Sequence, residues 1–194
     1  MKNAKCGHLK KNQVIYYEGD KGNGLCLLLS GKVKTIKLAE DGRELMTGIY
    51  SADDYLGINA MLSNGEYADT ATALEDCTLC LIPKEQLEQL LNLYPDVARE
   101  FIKLLAKDIR EKEEQLLQMA YHSVRKKMAE ALLRLQRQGG LEFKIAREDL
   151  AAMAAMATET VSRTLSDFKE EGLITKTGNM IIILDLARLT KMKN

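Results

Sequence analysis

The chain has 194 residues with 28 Lys/Arg and 28 Asp/Glu, so it is formally neutral, and 46% of its residues are hydrophobic. That length suits one large domain or two small ones with real apolar cores. With no Trp and three Phe it lacks the ring-rich platforms of single-strand nucleic-acid readers. No apolar run is long enough to span a membrane and none resembles a signal peptide, so the expected location is cytoplasmic, with no membrane partner.

The charge is unevenly spread. Residues 1–121 carry 15 Lys/Arg against 19 Asp/Glu, a balance of −4, and residues 122–194 carry 13 against 9, a balance of +4. The basic last third points to an acidic partner, nucleic acid first. The four cysteines, Cys6, Cys26, Cys77 and Cys80, are expected as reduced thiols and not as a disulfide framework.

From about residue 13 to 83 the chain reads as short β segments: "QVIYY", "LCLLLS", "KVKTIKL", "LMTGIY", "TATAL" and "CTLCLIP". Glycines such as Gly19, Gly31, Gly42 and Gly57 punctuate them. Regular short strands with glycine turns predict a small antiparallel barrel, roll or sandwich.

Pro83 closes the β region, a short helix is expected over 84–92, and Pro95 starts a long one running to about residue 121. Ile102, Leu105, Ile109, Leu116 and Met119 fall on steps of three, four and seven, with Lys112 on the same stripe. The opposite face is densely charged, "KDIREKEEQ". This pattern resembles a coiled-coil seam with one polar break, which predicts pairing with a second copy. The competing expectation is an amphipathic helix lying on its own domain.

The last third opens with "SVRKKMAEALLRLQRQ" and stops at Gly139–Gly140. Two helices follow, over 147–154 and about 158–171, then "LITKT", the turn "GN" and "MIIIL", with Asp185 placed to cap a last short helix. Helix, short helix, tight turn, helix and hairpin is a winged helix-turn-helix order. Leu150 and Met153 supply the inner face of the bracing helix, and Val161 and Leu165 that of the second.

The outward set on the second helix is Thr158, Glu159, Ser162 and Arg163. Arg163 suits a bidentate contact to guanine, Glu159 can accept from a cytosine amino group, and Ser162 can meet a base or phosphate. Thr158 and Thr160 sit where a hydroxyl caps the helix or binds phosphate, and Arg147 is placed for the DNA backbone.

The order of β-roll, long helix and winged helix resembles the Crp/Fnr family of bacterial transcription regulators over nearly the whole chain. The segments that carry the resemblance are "EGD" (18–20), "LSGKVK" (29–34), "ALEDCTLCLIPKEQ" (73–86) and "ETVSRTLSDFKEEGLI" (159–174). It implies an α+β fold in three parts. These are an antiparallel cyclic-nucleotide-binding-like jelly roll over 1–94, a dimerisation helix over 95–121 and a winged helix-turn-helix domain over 122–194. The triplet Glu159, Ser162 and Arg163 matches the Fnr-type recognition helix, which implies a palindrome of TTGAT-like half-sites in double-stranded DNA. RNA polymerase is a further partner the resemblance suggests. Ala155 departs from the family pattern, where this turn often has Gly, and is expected to ask for a slightly different backbone. "KKNQVIYYEGD" and "AYHSVRKKMAEALLRLQ" resemble a Bacteroidetes-type subgroup in which a receiver domain can precede the roll. The chain is therefore read either as short or as part of a longer protein.

In cyclic-nucleotide-binding members of that family, a Gly-Glu pair and an Arg-Ser/Thr pair hold the ribose and the cyclic phosphate. The matching positions here are Gly57, Ile58, Ala68, Asp69 and Thr70. Ile58 replaces the Glu, and Ala68 and Asp69 replace the Arg-Ser pair. Asp69 would repel a phosphate, and the charge-assisted contact of the Arg is gone. Cyclic AMP is therefore not the expected ligand.

Fnr itself holds an iron–sulfur cluster on cysteines. Cys77 and Cys80 lie three apart in an expected strand and so face opposite sides, Cys26 occupies an apolar strand position, and Cys6 stands alone. That spacing does not predict a cluster. His8 and His122 are too few and too far apart for a histidine-rich metal site. No nucleophile–base set or phosphate loop stands out, so the chain is not expected to be an enzyme. No cofactor is evident and the effector is unknown. The alternative reading is a small-molecule or redox sensor module, with haem, an iron–sulfur cluster or another ligand in the roll gating DNA binding.

Overall fold

Apolar residues at alternate positions, with glycines between the runs, carry the first part of the chain into strands. The computed structural model describes residues 5–62 and 65–194. In order the strands are β1 (Lys5–Leu9), β2 (Val14–Tyr16), β3 (Gly24–Ser30), β4 (Val33–Leu38), β5 (Glu44–Tyr50) and β6 (Tyr55–Leu56). A short helix α1 (Ile58–Leu62) precedes β7 (Thr70–Ala73) and β8 (Cys77–Pro83). They build two four-stranded sheets, ordered β1-β8-β3-β6 and β2-β7-β4-β5. The pairings β1·β8, β3·β8, β3·β6, β2·β7 and β4·β7 are antiparallel.

Period-2 alternation decides which side chains meet between these sheets. In β7 the alanines Ala71 and Ala73 are buried and the threonines less so. They join Leu28, Val33, Leu56 and Leu79 in one apolar cluster, and each fully buried aliphatic side chain there contributes about 1.5–3 kcal/mol. Gly31, at φ +85°, makes the turn between β3 and β4, and a Cβ there would stand 2.5 Å from the Asp76 carbonyl oxygen. Only glycine fits that turn.

Two helices continue from the roll, α2 (Lys84–Leu93) and α3 (Pro95–Tyr121). Leu87 of α2 and Phe101 of α3 pack with Leu25, Met61 and Ile82 in a second apolar cluster. The remaining elements are α4 (Val124–Gly139), β9 (Glu142–Lys144), α5 (Arg147–Ala154), α6 (Thr158–Glu170), β10 (Ile174–Thr177), β11 (Met180–Ile183) and α7 (Leu186–Thr190). Strands β10, β11 and β9 form a three-stranded sheet in that order. The chain thus divides into two compact units, the first comprising residues up to Ile109 except Arg43–Leu45 and the second Arg43–Leu45 together with Arg110–Asn194. The expected order of antiparallel roll, long helix and winged helix-turn-helix is the order the fold has. Asp185 caps α7 as expected, its Oδ1 accepting from the Arg188 backbone N–H at 2.9 Å.

Two expectations need correction. The first strand was expected near residue 13, but β1 lies at Lys5–Leu9, with four of its five residues exposed. As an edge strand it has no buried alternation to announce it. α1 and β9, of five and three residues, are too short for a periodic signal. The cysteines were expected as thiols throughout, yet Cys6 and Cys80 are joined by a disulfide. The antiparallel register of β1 on β8 sets those two residues directly opposite each other, a juxtaposition that spacing alone does not reveal.

On α3, Ile102, Ile109 and Leu116 are 65%, 59% and 66% exposed, while Leu105 and Met119 are half-buried. Leu104 and Leu117 are exposed beside them, so the apolar stripe is broader than the periodic positions alone suggest. A helix with this much uncovered aliphatic surface is poised to bury it against another surface.

Candidate nucleic-acid interface

The helix-turn-helix is built from two small apolar faces. α5 buries Leu150, Ala151, Ala152, Met153 and Ala154, and α6 buries Val161, Thr164, Leu165 and Phe168. Alanine-rich α5 lets the two helices approach closely. Between them lie three residues, 155–157. Ala155 adopts φ 50°, ψ 49°, and Met156 N–H donates to the Ala151 carbonyl at 3.0 Å, which closes the end of α5. The expectation of a different backbone at Ala155 is therefore corrected. The alanine takes the left-handed conformation that glycine adopts freely.

This conformation costs an L-residue about 1–2 kcal/mol, whereas glycine adds about 0.4–1 kcal/mol of unfolded-chain entropy. Ala155 is exposed, so its methyl has little packing to lose. Ala155→Gly is expected to raise stability by up to about 1 kcal/mol, read from the denaturant midpoint. A fall in stability would mean that the Ala155 methyl makes contacts worth more than the strain.

The residues expected to face outward on α6 differ in exposure, with Thr158 half-buried. Glu159 and Arg163 are exposed, one turn apart on the same face, and Ser162 is half-buried beside them. The Ser162 hydroxyl donates to the Thr158 carbonyl at 2.9 Å. While that bond holds, Ser162 offers only acceptor lone pairs outward. Thr158 and Thr160 do not cap the helix. The N-cap is Ala157, without a side-chain hydrogen bond, and Thr158 is the first helical residue. Arg147 is exposed at the first position of α5.

The far end of α6 is held by residues the sequence did not single out. The Arg125 guanidinium of α4 lies 5.0 Å from the centroid of buried Phe168 and bonds the Glu171 carboxylate at 2.8 Å. Arg188 Nη1 donates to the Glu171 carbonyl at 3.2 Å. The Arg125 hydrogen bond holds the Glu171 carboxyl below its ordinary range. Its contribution is therefore present above the ordinary glutamate pKa and is lost as pH falls through the lowered one. Only the fold reveals this network, because Arg125 and Glu171 stand 46 residues apart.

In the roll, four of the five positions matched to the cyclic-nucleotide site make contacts within the protein, Ala68 being the exception. Gly57 sits at φ +82°, with the Tyr67 ring 2.8 Å from where a Cβ would be. Ile58 packs against the second apolar cluster, and Ala68 is exposed. The Thr47 hydroxyl donates to Asp69 Oδ2 at 2.7 Å and stands 2.7 Å from Thr35 Oγ1. Thr70 Oγ1 accepts from the Glu18 N–H at 3.0 Å. Tyr16 stacks on Tyr67 with centroids 3.7 Å apart. Burial, with Asp69 nearby, raises the Tyr16 phenol pKa.

A separate cavity of about 470 Å³ lies in the same unit, lined by Ile15, Tyr16, Cys26, Tyr67, Leu79 and Leu81, with Lys5 and Lys21 among its polar residues. None of Gly57, Ile58, Ala68, Asp69 and Thr70 lines it. Among the described residues no group of three or more His, Cys, Asp and Glu is placed to hold a metal ion.

Comparison with known proteins agrees with this architecture. Residues 7–94 match the family described as the cyclic nucleotide-binding domain, and residues 126–192 match the Crp-like helix-turn-helix domain. The chain is 36% identical over 161 residues to the cyclic AMP receptor protein of Thermus thermophilus, covering 82% of this chain and 74% of that one. It belongs to the Crp/Fnr family of transcription regulators.

Other members of the Crp/Fnr family extend the likeness. The transcriptional activator protein Anr of Pseudomonas aeruginosa is 28% identical over 189 residues, covering 93% of this chain and 77% of that one. Among solved structures, FixK2 from Bradyrhizobium japonicum superposes with a TM-score of 0.88 at 24% identity, covering 99% and 98% of the two chains. At that identity the likeness shows the fold. A Crp/Fnr-family regulator from Eubacterium rectale superposes at 0.82 with 28% identity, covering 97% and 89%. Crp/Fnr proteins are regulators and not enzymes, and the helix-turn-helix of this chain is its DNA-binding domain.

Proposed function

We propose that the chain is a homodimeric, cytoplasmic regulator that reads a palindrome of TTGAT-like half-sites through α6. The observation that carries this reading is the face of exposed Glu159 and Arg163, with half-buried Ser162 beside them, directly after a three-residue turn. Arg163 donates to guanine, while Glu159 and Ser162 accept from base amino groups. Arg147, Thr158 and Thr160 serve the phosphates. The stripe of exposed Ile102, Ile109 and Leu116 with half-buried Leu105 and Met119 supports pairing of α3 with a second copy. The two recognition helices then address half-sites about 34–36 Å apart. In this reading residues 1–94 are a sensor-like roll, 95–121 the dimer helix and 122–194 the DNA-binding domain, with RNA polymerase as a further partner.

The effector is not cyclic AMP in this reading. A cyclic phosphate at Asp69 would meet a carboxylate already bonded to Thr47, with no arginine to neutralise it. Selection of bound fragments from random double-stranded DNA tests the whole reading. The expected result is a two-fold symmetric consensus with TTGAT-like halves, unchanged by cyclic AMP. An asymmetric or absent consensus contradicts the homodimer readout, and a consensus that needs cyclic AMP contradicts the ligand reading. A second reading, a small-molecule sensor that gates DNA binding, is favoured by the cavity between Ile15 and Leu81. Its ligand would bind away from the five positions of the degenerate site.

A further inference from the structure

The four cysteines fall into two chemical groups. Cys26 and Cys77 are buried free thiols, and burial pushes both pKa values up, that of Cys26 to about 11, which leaves them poor nucleophiles. Cys6 and Cys80 are bonded across a sequence separation of 74, with Cα atoms 4.0 Å apart. β1 is an edge strand whose one neighbour in the sheet is β8. Cys6 is exposed there, while Cys80 is 7% exposed.

Alternation places the bond opposite the cavity. Leu79 and Leu81, on either side of Cys80, line the cavity, and Lys5, Gly7, His8 and Leu9 of β1 line it as well. The sulfurs therefore lie on the other face of the sheet. They fasten from outside the strand that forms part of the cavity wall from inside. A second cross-strand contact, His8 Nδ1 to Thr78 Oγ1 at 2.9 Å, joins the pair two steps along the register, with His8 itself among the cavity's lining residues. Together with the backbone ladder it keeps the register when the sulfurs are reduced, so they remain opposed.

Disulfides are rare in the compartment that holds bacterial DNA, and those formed there are mostly transient or redox-sensing. This step rests on the reading of the chain as a DNA-binding regulator. We propose that Cys6 and Cys80 form a reversible thiol–disulfide couple, oxidised by a peroxide, that fastens β1 to β8 and so sets the mobility of one cavity wall. The Cys6 thiolate attacks a peroxide oxygen and the O–O bond breaks. The departing oxygen takes a proton and leaves as water or an alcohol, and Cys6 becomes a sulfenic acid. The Cys80 thiolate then attacks that sulfur, the S–S bond forms, the S–O bond breaks, and hydroxide takes a proton and leaves as water. Two electrons pass from the thiol pair to the peroxide. A dithiol reductant returns them through a mixed disulfide.

The test treats the fully reduced chain with one equivalent of hydrogen peroxide, followed by alkylation, peptide mapping and hydrogen exchange. Free thiols are expected to fall from four to two, with Cys6 and Cys80 in one linked peptide pair and dithiothreitol restoring all four. Amides of β1 are expected to exchange about tenfold or more faster in the reduced form. Cys26→Ser should still form the bond, and Cys6→Ser should not. The proposal is overturned if the reduced chain forms no such bond, links other cysteines or two chains instead, or resists dithiothreitol. Equal exchange of β1 in the two forms overturns it as well. Titration of the same samples with the selected palindrome separates the two readings. Loss of DNA binding in both redox forms contradicts the regulator reading and leaves the thiol result standing, whereas normal DNA binding without the bond overturns the couple alone.

Discussion

Arg163→Ala is expected to weaken binding to the proposed palindrome by about 1–3 kcal/mol per half-site and to relax one base position in each half. The guanidinium is the one group on the exposed face of α6 able to donate two parallel hydrogen bonds to a guanine edge. Removing it leaves the guanine acceptors without a partner while the phosphate contacts persist. Because Arg163 is exposed, the melting temperature of the free protein should stay unchanged, which separates lost readout from lost folding. Arg147→Ala should act differently, weakening all sequences alike and reducing the salt dependence. If Arg163→Ala binds the palindrome as tightly and as selectively as the parent, Arg163 does not read a base.

Pairing Ile109→Asp with Leu116→Asp is expected to abolish the proposed dimer. Both residues lie on the uncovered stripe of α3, at 59% and 66% exposure. Each apolar side chain withdrawn from a seam forfeits about 1.5–3 kcal/mol, and two copies double the count. The introduced carboxylates also resist burial in an apolar seam. A monomer presents one recognition helix, so the 4–10 kcal/mol, roughly, that separates specific from non-specific binding is cut to about half. Sedimentation equilibrium reports the mass, and titration with full and half palindromes reports the affinity. A doubly substituted chain that remains dimeric would place the seam elsewhere, with Leu104 and Leu117 the next residues to replace.

The output end of this protein was far more legible in its sequence than the input end. α3 and α5 occupy the expected residues because each is a long or well-bounded helical pattern, closed by Pro95 at one start and by a tight turn at the other end. Glu159, Ser162 and Arg163 could be placed because helical spacing fixes which residues share a face. β1 was missed because an exposed edge strand of five residues has no face to bury and so no alternation. The Cys6–Cys80 bond follows from strand register, and register is a property of the pairing and not of either segment. The aromatic stack of Tyr16 on Tyr67 and the Thr47–Asp69 bond also join residues from separate strands or loops. Local pattern showed which residues stand at the matched positions in the roll but not the contacts that Tyr67 and Asp69 make there.

Ala155 bears on how such proteins are found. The turn between α5 and α6 is defined by its backbone, and in this chain that backbone is reached by a residue with a side chain, at φ 50°. A search pattern that demands glycine at this position would discard the chain although its turn has the required shape. The letter at that position is therefore a poor key to the motif. Better keys are the buried Ala151 and Ala154 before the turn and the buried Val161 after it, because close helix approach constrains those side chains directly.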